Sequence, residues 1–204
     1  MIERLSQVSG ADVSRETYAR LERFAALLIE ESGRQNLVSA ASLPDLWERH
    51  LVDGAQLLTL AGKPGSWCDI GSGAGLPGMV IAILSGQPMT LIEPRRLRCE
   101  FLQTCVDELA LTDVNVVTAK AANVTGRFDY ITARAVARLD ALLAMTAHLA
   151  HNRTRFILPK GKGVKSELDE ARRNWQGEFR LVPSQTHPDA AIVVADGVWP
   201  GKKS

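Results

Sequence analysis

The chain has 204 residues, 46% of them hydrophobic and 23% charged, an ordinary globular composition that suits one domain of moderate size with an extension. Its 24 Lys and Arg stand against 23 Asp and Glu, so no global positive field advertises a nucleic acid, although a local basic face stays open. No apolar run reaches the ~18 residues of a membrane span, and MIERLSQVSG at the start lacks the apolar centre of a secretion signal. A cytoplasmic protein with no membrane attachment is expected. Cys68, Cys99 and Cys105 form no CxxC pair, and His148, His151 and His187 show no ligand spacing, so no metal site is expected and the thiols read as small buried hydrophobes in a reducing compartment.

In chain order, Tyr18, Leu21, Phe24, Ala25, Leu28 and Ile29 recur at helical spacing and predict a helix over 14–31. Ser42 with Asp45 three places on and Pro44 between them predicts a second helix start, running through WERHLVDGAQLL. Residues 1–62 therefore read as a helical extension, closed by Gly62, Pro64 and Gly65, and 63–204 as the main domain. From Trp67 short apolar runs alternate with helical stretches. The strands are WCDI, MTLIE, VNVVTA, FDYITARA, RFILPKG, FRLVPS and AIVVAD, the last two close enough for an antiparallel pair. The fold class expected is α/β, a Rossmann-like, mainly parallel sheet with helices on both faces, with ligands beyond the C-terminal strand ends. The glycine turn, Glu93, Ala121–Ala122, Arg134 and Lys160 all fall at such ends.

The turn is WCDIGSGAGLPG at 67–78. Gly73, Gly75 and Gly78 fit GxGxxG, with Glu93 twenty residues beyond Gly73 to receive ribose hydroxyls, and that supports a dinucleotide. Asp69 speaks against it, because a carboxylate beside a pyrophosphate places like charges a few ångströms apart. S-adenosylmethionine, with an amino group, a positive sulfur and no phosphate, reverses the sign. Asp69 would then pair with its amine and Glu93 with its ribose. An NAD(P)-dependent oxidoreductase stays as the rival reading.

DIGSGAGLPG, preceded by Asn36–Leu37 and by RHLVD at 49–53, resembles the small-subunit ribosomal RNA guanine-N7 methyltransferases, once called glucose-inhibited division protein B. The likeness continues through LIEPRRLRCEFL at 91–102, FDYITARAVARL at 128–139 and LPKG at 158–161, and so covers almost the whole chain in order. It implies a class I methyltransferase fold with a helical N-terminal extension. It further implies methyl transfer from S-adenosylmethionine to N7 of one guanine in 16S ribosomal RNA. Residue by residue it places cofactor contacts at Gly71, Leu76, Ala121, Ala122 and Arg134. Two departures stand out. Ala122 replaces the family's acidic residue, leaving the backbone amide or Asn123 for adenine, and the family's Lys-Arg pair appears as Leu97–Arg98 beside Arg95 and Arg96.

Guanine N7 is an exposed lone pair, so the site needs alignment rather than a general base. The chain agrees: it has no Asp/Asn-Pro-Pro-aromatic tetrapeptide and no Pro-Cys nucleophile. Arg134 is the candidate catalytic residue, through guanine O6 or the methionine carboxylate. On the RNA side, Arg98 is a shifted basic contact, and Lys160 either a phosphate contact or a solvated loop lysine. His50, three residues before Asp53, either anchors its helix to the glycine turn or touches RNA or cofactor, and Arg49 and Asn36 share that alternative. Trp47 reads as packing. The target expected is a small-subunit particle bound by a monomer, with a non-catalytic ribosome-binding factor as the reading from another class.

Overall fold

The structure is a computed structural model describing residues 1–201. Helices α1 (Ile2–Ser9) and α2 (Arg15–Gln35) open the chain, α2 capped by the Ser14 hydroxyl accepting from Thr17 N–H. A helical run over 47–60 follows, made of a π-type turn (Trp47–Val52), α3 (Asp53–Ala55) and a 3-10 turn (Gln56–Leu60). The expected helix start at Ser42 is corrected: the Ser42 hydroxyl donates backwards to Ser39 O at 2.8 Å, closing a separate 3-10 turn (Ala40–Ser42). The Ser42 hydroxyl oxygen accepts from the Ser39 hydroxyl at 3.1 Å, and among the described residues no N–H of the following helical run donates to it.

Strands β1 (Trp67–Ile70), β2 (Met89–Glu93), β3 (Val114–Thr118), β4 (Phe128–Ala133), β5 (Ala150–Lys160), β6 (Trp175–Pro183) and β7 (Ala191–Pro200) form one sheet in the order β3-β2-β1-β4-β5-β7-β6. The first five pair in parallel, and β7 enters antiparallel between β5 and β6. All seven predicted strands are present. β4 stops earlier than FDYITARA suggested, because Ala135 takes a left-handed φ of 56 and turns the chain out of the sheet.

Helices α4 (Gly78–Ser85), α5 (Arg96–Glu108), α6 (Leu139–Thr146) and α7 (Val164–Asn174) complete the layers. Alternation along the strands divides the core. Trp67, Met89, Leu91, Tyr130 and Ile157 pack with the helices of 2–60, α4 and α5. Cys68, Ile70, Ile92, Ile131 and Phe156 pack with α6 and α7. Strand order reverses between β1 and β4, which leaves a crevice beyond their C-terminal ends. Among the described residues no helix is long and apolar enough to cross a membrane.

Candidate active site

The glycine turn needs its glycines. Gly71, Gly73 and Gly75 have φ of 65, 55 and 79, a region that L side chains rarely adopt. Space is equally restrictive at the turn's far end, where a Cβ on Gly78 would lie 2.5 Å from Leu91 and 2.6 Å from Asp69, so α4 can close onto the sheet only without one. Beside Gly71 a cleft of about 340 Å³ opens, walled by Ile70, Ile92, Pro94 and Met145, with Glu93, Arg98, Ala121 and Ala122 at its edge. Five of the residues expected at the cofactor or RNA, Gly71, Glu93, Arg98, Ala121 and Ala122, thus converge on one space. Gly73, Gly75 and Leu76 are buried behind it. The side chain of Leu76 belongs to the apolar core.

Glu93 is buried and accepts from Gly73 N–H at 3.0 Å and from Arg95 N–H at 2.9 Å. A carboxylate offers about four acceptor positions, so two stay free for ribose hydroxyls. Asp69 lies beneath the turn, fully buried and outside the cleft's lining. Its Oδ2 accepts from Gly78 N–H at 3.1 Å, while Oδ1 has no partner among the described residues. Burial pushes its carboxyl up to about 7, against the Gly78 N–H and the nearby Arg134, which favour the anion. The direct amine contact expected from the sequence becomes action at one remove: Asp69 holds the turn and places a negative field under it. A cation above suits that field, and a pyrophosphate does not.

A second pocket of about 550 Å³ lies on the other side of Val136, lined by Arg49, Asp53, Arg134, Lys160, Thr186 and neighbours. Among the described residues Val136 alone lines both spaces. It stands over Gly71, whose Cβ would come 2.7 Å from its Cγ2. Nothing in the sequence singled Val136 out, because its position depends on the turn at Ala135.

Arg134 follows the end of β4 and leans back toward the helical run. Its Nη1 is 3.1 Å from His50 Nδ1 and 3.6 Å from Asp53 Oδ2. Because the guanidinium can only donate, Nδ1 accepts and Nε2 carries the hydrogen. Burial, then the charges of Arg134 and Arg49, lower His50 to about 4. The helical His50–Asp53 pair read from their spacing is replaced by a shared grip on Arg134. Burial lowers the Arg134 guanidinium, opposed by Asp53 and Asp69.

The remaining candidates divide. Arg49 is exposed at the second pocket. Lys160 ends β5 as expected, but its ammonium donates to Ala137 O at 2.7 Å and to Glu167 at 3.0 Å, which pins the 134–138 segment to α7. A charge so engaged has little left for a phosphate. Asn36 caps α2 with φ 51 and lines neither pocket, a common use of asparagine at a helix end. Trp47 packs on Tyr18, ring centroids 5.5 Å apart.

Family comparison decides what this geometry serves. Residues 17–188 match the family model for rRNA small subunit methyltransferase G. The chain belongs to the rRNA small subunit methyltransferase G family. A member from Zymomonas mobilis is 44% identical over 201 residues, covering 94% of this chain and 90% of the relative. Another, from Rhizorhabdus wittichii, is 43% identical over 196 residues with the same coverage. Both carry the name ribosomal RNA small subunit methyltransferase G. At fold level, the glycopeptide N-methyltransferase MtfA complexed with sinefungin superposes with a TM-score of 0.63 at 11% identity, covering 72% of this chain and 93% of its own. The protein is an S-adenosylmethionine-dependent methyltransferase of class I fold. Family membership sets aside the oxidoreductase reading of GxGxxG, and the fully formed cleft gives no support to a non-catalytic factor.

Proposed function

We propose that this methyltransferase moves the methyl group of S-adenosylmethionine to N7 of one guanine in 16S ribosomal RNA, acting as a monomer on a small-subunit particle. The observation that carries the reading is the pair of spaces meeting at Val136, one suited to the cofactor and one bearing Arg134. Gly71, Glu93, Ala121 and Ala122 would hold the cofactor, which supplies an electrophilic methyl group. The cation-favouring field of Asp69 and the two unused acceptor positions on Glu93 are what such a group requires. With alanine at 122, adenine would be met by backbone and by apolar walls.

In the second pocket the titratable groups near Arg134 are committed. His50 is held neutral with Nδ1 accepting, His187 on the pocket wall has its Nδ1 accepting from Asp189 N–H at 3.1 Å, Glu167 is paired with Lys160, and Asp53 is shared between Arg134, Gln56 and Thr186. N7 attacks with a lone pair already present, so this arrangement suits it and does not suit a nucleophile that must first lose a proton. Arg134 donates toward guanine O6, which sits beside N7 on the same base edge. Around the two mouths, Arg49, Arg95, Arg98 and Lys120 have no carboxylate within 4.0 Å among the described residues. They form a local cationic rim for RNA phosphates on a nearly neutral protein. Incubation with S-adenosylmethionine and either small-subunit particles or naked 16S RNA, followed by mass mapping, tests the proposal. Methylation of one guanine in the particle is expected; methyl incorporated only into another base type would overturn it.

A further inference from the structure

His50, Asp53 and Gln56 stand three residues apart and form one polar row along the helical run. Asp53 Oδ1 accepts from Gln56 Nε2 at 2.8 Å and from the Thr186 hydroxyl at 2.7 Å, while Oδ2 faces Arg134. Gln56, buried at 1% exposure, uses its Oε1 to accept from Gln185 N–H at 2.8 Å. The row therefore grips two things that belong to different parts of the chain: the side chain just beyond β4 and the loop between β6 and β7. That loop carries Ser184, Thr186 and His187 into the wall of the second pocket.

We infer that Asp53 is a positioning residue for methyl transfer, fixing the direction of the Arg134 guanidinium and the place of the β6–β7 loop with its two carboxylate oxygens. The inference rests on the second pocket being the site of the target base. Arg134 alone could swing, since its side chain is only partly buried and its backbone sits beside the turn at Ala135. His50 Nδ1 contributes one neutral acceptor, and Asp53 adds the charge that makes one direction preferred. A plain structural role, holding loop to helix, needs only the Oδ1 side of the carboxylate. Among the described residues the Oδ2 side has no other partner than Arg134.

Asp53→Asn separates the two halves. Its carbonyl oxygen can still accept from Thr186 and Gln56, while an amide replaces the charge facing Arg134. The variant is expected to lose about tenfold or more in kcat, the misalignment cost of an Arg134 no longer held by the 3.6 Å ion pair, with S-adenosylhomocysteine affinity by calorimetry within about twofold of wild type. Thr186→Val, which releases only the loop, is expected to act mainly on KM for the particle. Asp53→Glu should recover part of kcat. NMR of the Arg134 guanidinium in the resting protein reads the positioning without any substrate: slow rotation in wild type, and faster rotation in Asp53→Asn, where the His50 contact alone remains. Unchanged rotation, or a folded Asp53→Asn enzyme with wild-type kcat, would overturn the inference. A wild-type protein that methylates no particle would instead remove the reading of the pocket, and the rotation result would still decide the role of Asp53.

Discussion

The guanidinium of Arg134 donates to His50 Nδ1 across 3.1 Å, joining the end of β4 to a helical run 84 residues earlier in the chain. This contact removes His50 from the acid–base chemistry of the site. A histidine whose Nδ1 is engaged and whose Nε2 is buried has no free nitrogen with which to take a proton from a substrate.

Arg134→Ala should lower single-turnover methyl transfer by about ten- to a hundredfold at every pH, the weight of one charge-assisted hydrogen bond of roughly 1.5–3 kcal/mol. Arg134→Lys should not restore it, since an ammonium cannot serve His50, Asp53 and a base edge with one planar fork. Quench-flow with labelled cofactor checks both, and a lysine variant at wild-type rate would refute the alignment role.

Two buried groups give stability opposite dependences on pH. His50 falls from 6.5 to about 4 on folding, so the unfolded chain binds the proton first and this group withdraws stability as pH drops through that window. Asp69 rises from 3.8 to about 7, so its contribution is fully present below 3.8 and is lost as pH climbs through the folded value. Relative to wild type, His50→Gln should steepen the loss of stability between about pH 4.5 and 7, and Asp69→Asn should reverse the trend. Urea melts at several pH values measure the slopes; three identical slopes would contradict both shifts.

Cofactor binding should report the same carboxyl. A cation above the turn favours the anionic form of Asp69, so S-adenosylmethionine should bind more tightly as pH rises through about 7 and should release protons near neutrality. Calorimetry in two buffers of different ionisation enthalpy measures the release. In Asp69→Asn binding should be weaker and the proton release should disappear; equal release in the variant would place its source elsewhere.

At the turn itself, Gly73→Val should abolish cofactor binding, and Gly71→Ala should weaken it, through a strained φ and a Cβ 2.7 Å from Val136 Cγ2. Shortening the neighbour should relieve the second part only. The double variant Gly71→Ala/Val136→Ala is therefore expected to bind better than Gly71→Ala and worse than Val136→Ala. Strict additivity in this cycle would show that the two side chains do not meet.

Much of this architecture was legible because strand and helix periodicities are local. WCDI, MTLIE and AIVVAD each declare a strand within a few residues, and a glycine-rich turn between strand and helix declares a ligand crevice. Glu93 could be placed because strand ends line up in a parallel sheet. Depth and long-range pairing were not legible. The sequence shows Asp69 next to the glycines but not that it lies beneath them. It shows Lys160 at a strand end but not the Glu167 and Ala137 partners that engage its charge. Asp53 is visible as a neighbour of His50, whereas its bond to Thr186 spans 133 residues and needs β6 and β7 to be in place. Ser42 carried a sound capping signal, but its hydroxyl closes a turn with Ser39 instead.

Wild-type protein, saturated with S-adenosylmethionine, can be mixed with small-subunit particles in single turnover between about pH 6 and 8.5, the range that brackets an unperturbed histidine. Borohydride reduction and aniline scission of the recovered 16S RNA then read N7-methylguanine directly. The prediction is one cleavage site, appearing at a rate nearly flat across the range and unchanged in its pH dependence by His50→Ala. A methyl group on any other guanine atom, or an acid limb that vanishes in His50→Ala, would contradict a transfer that proceeds without a base.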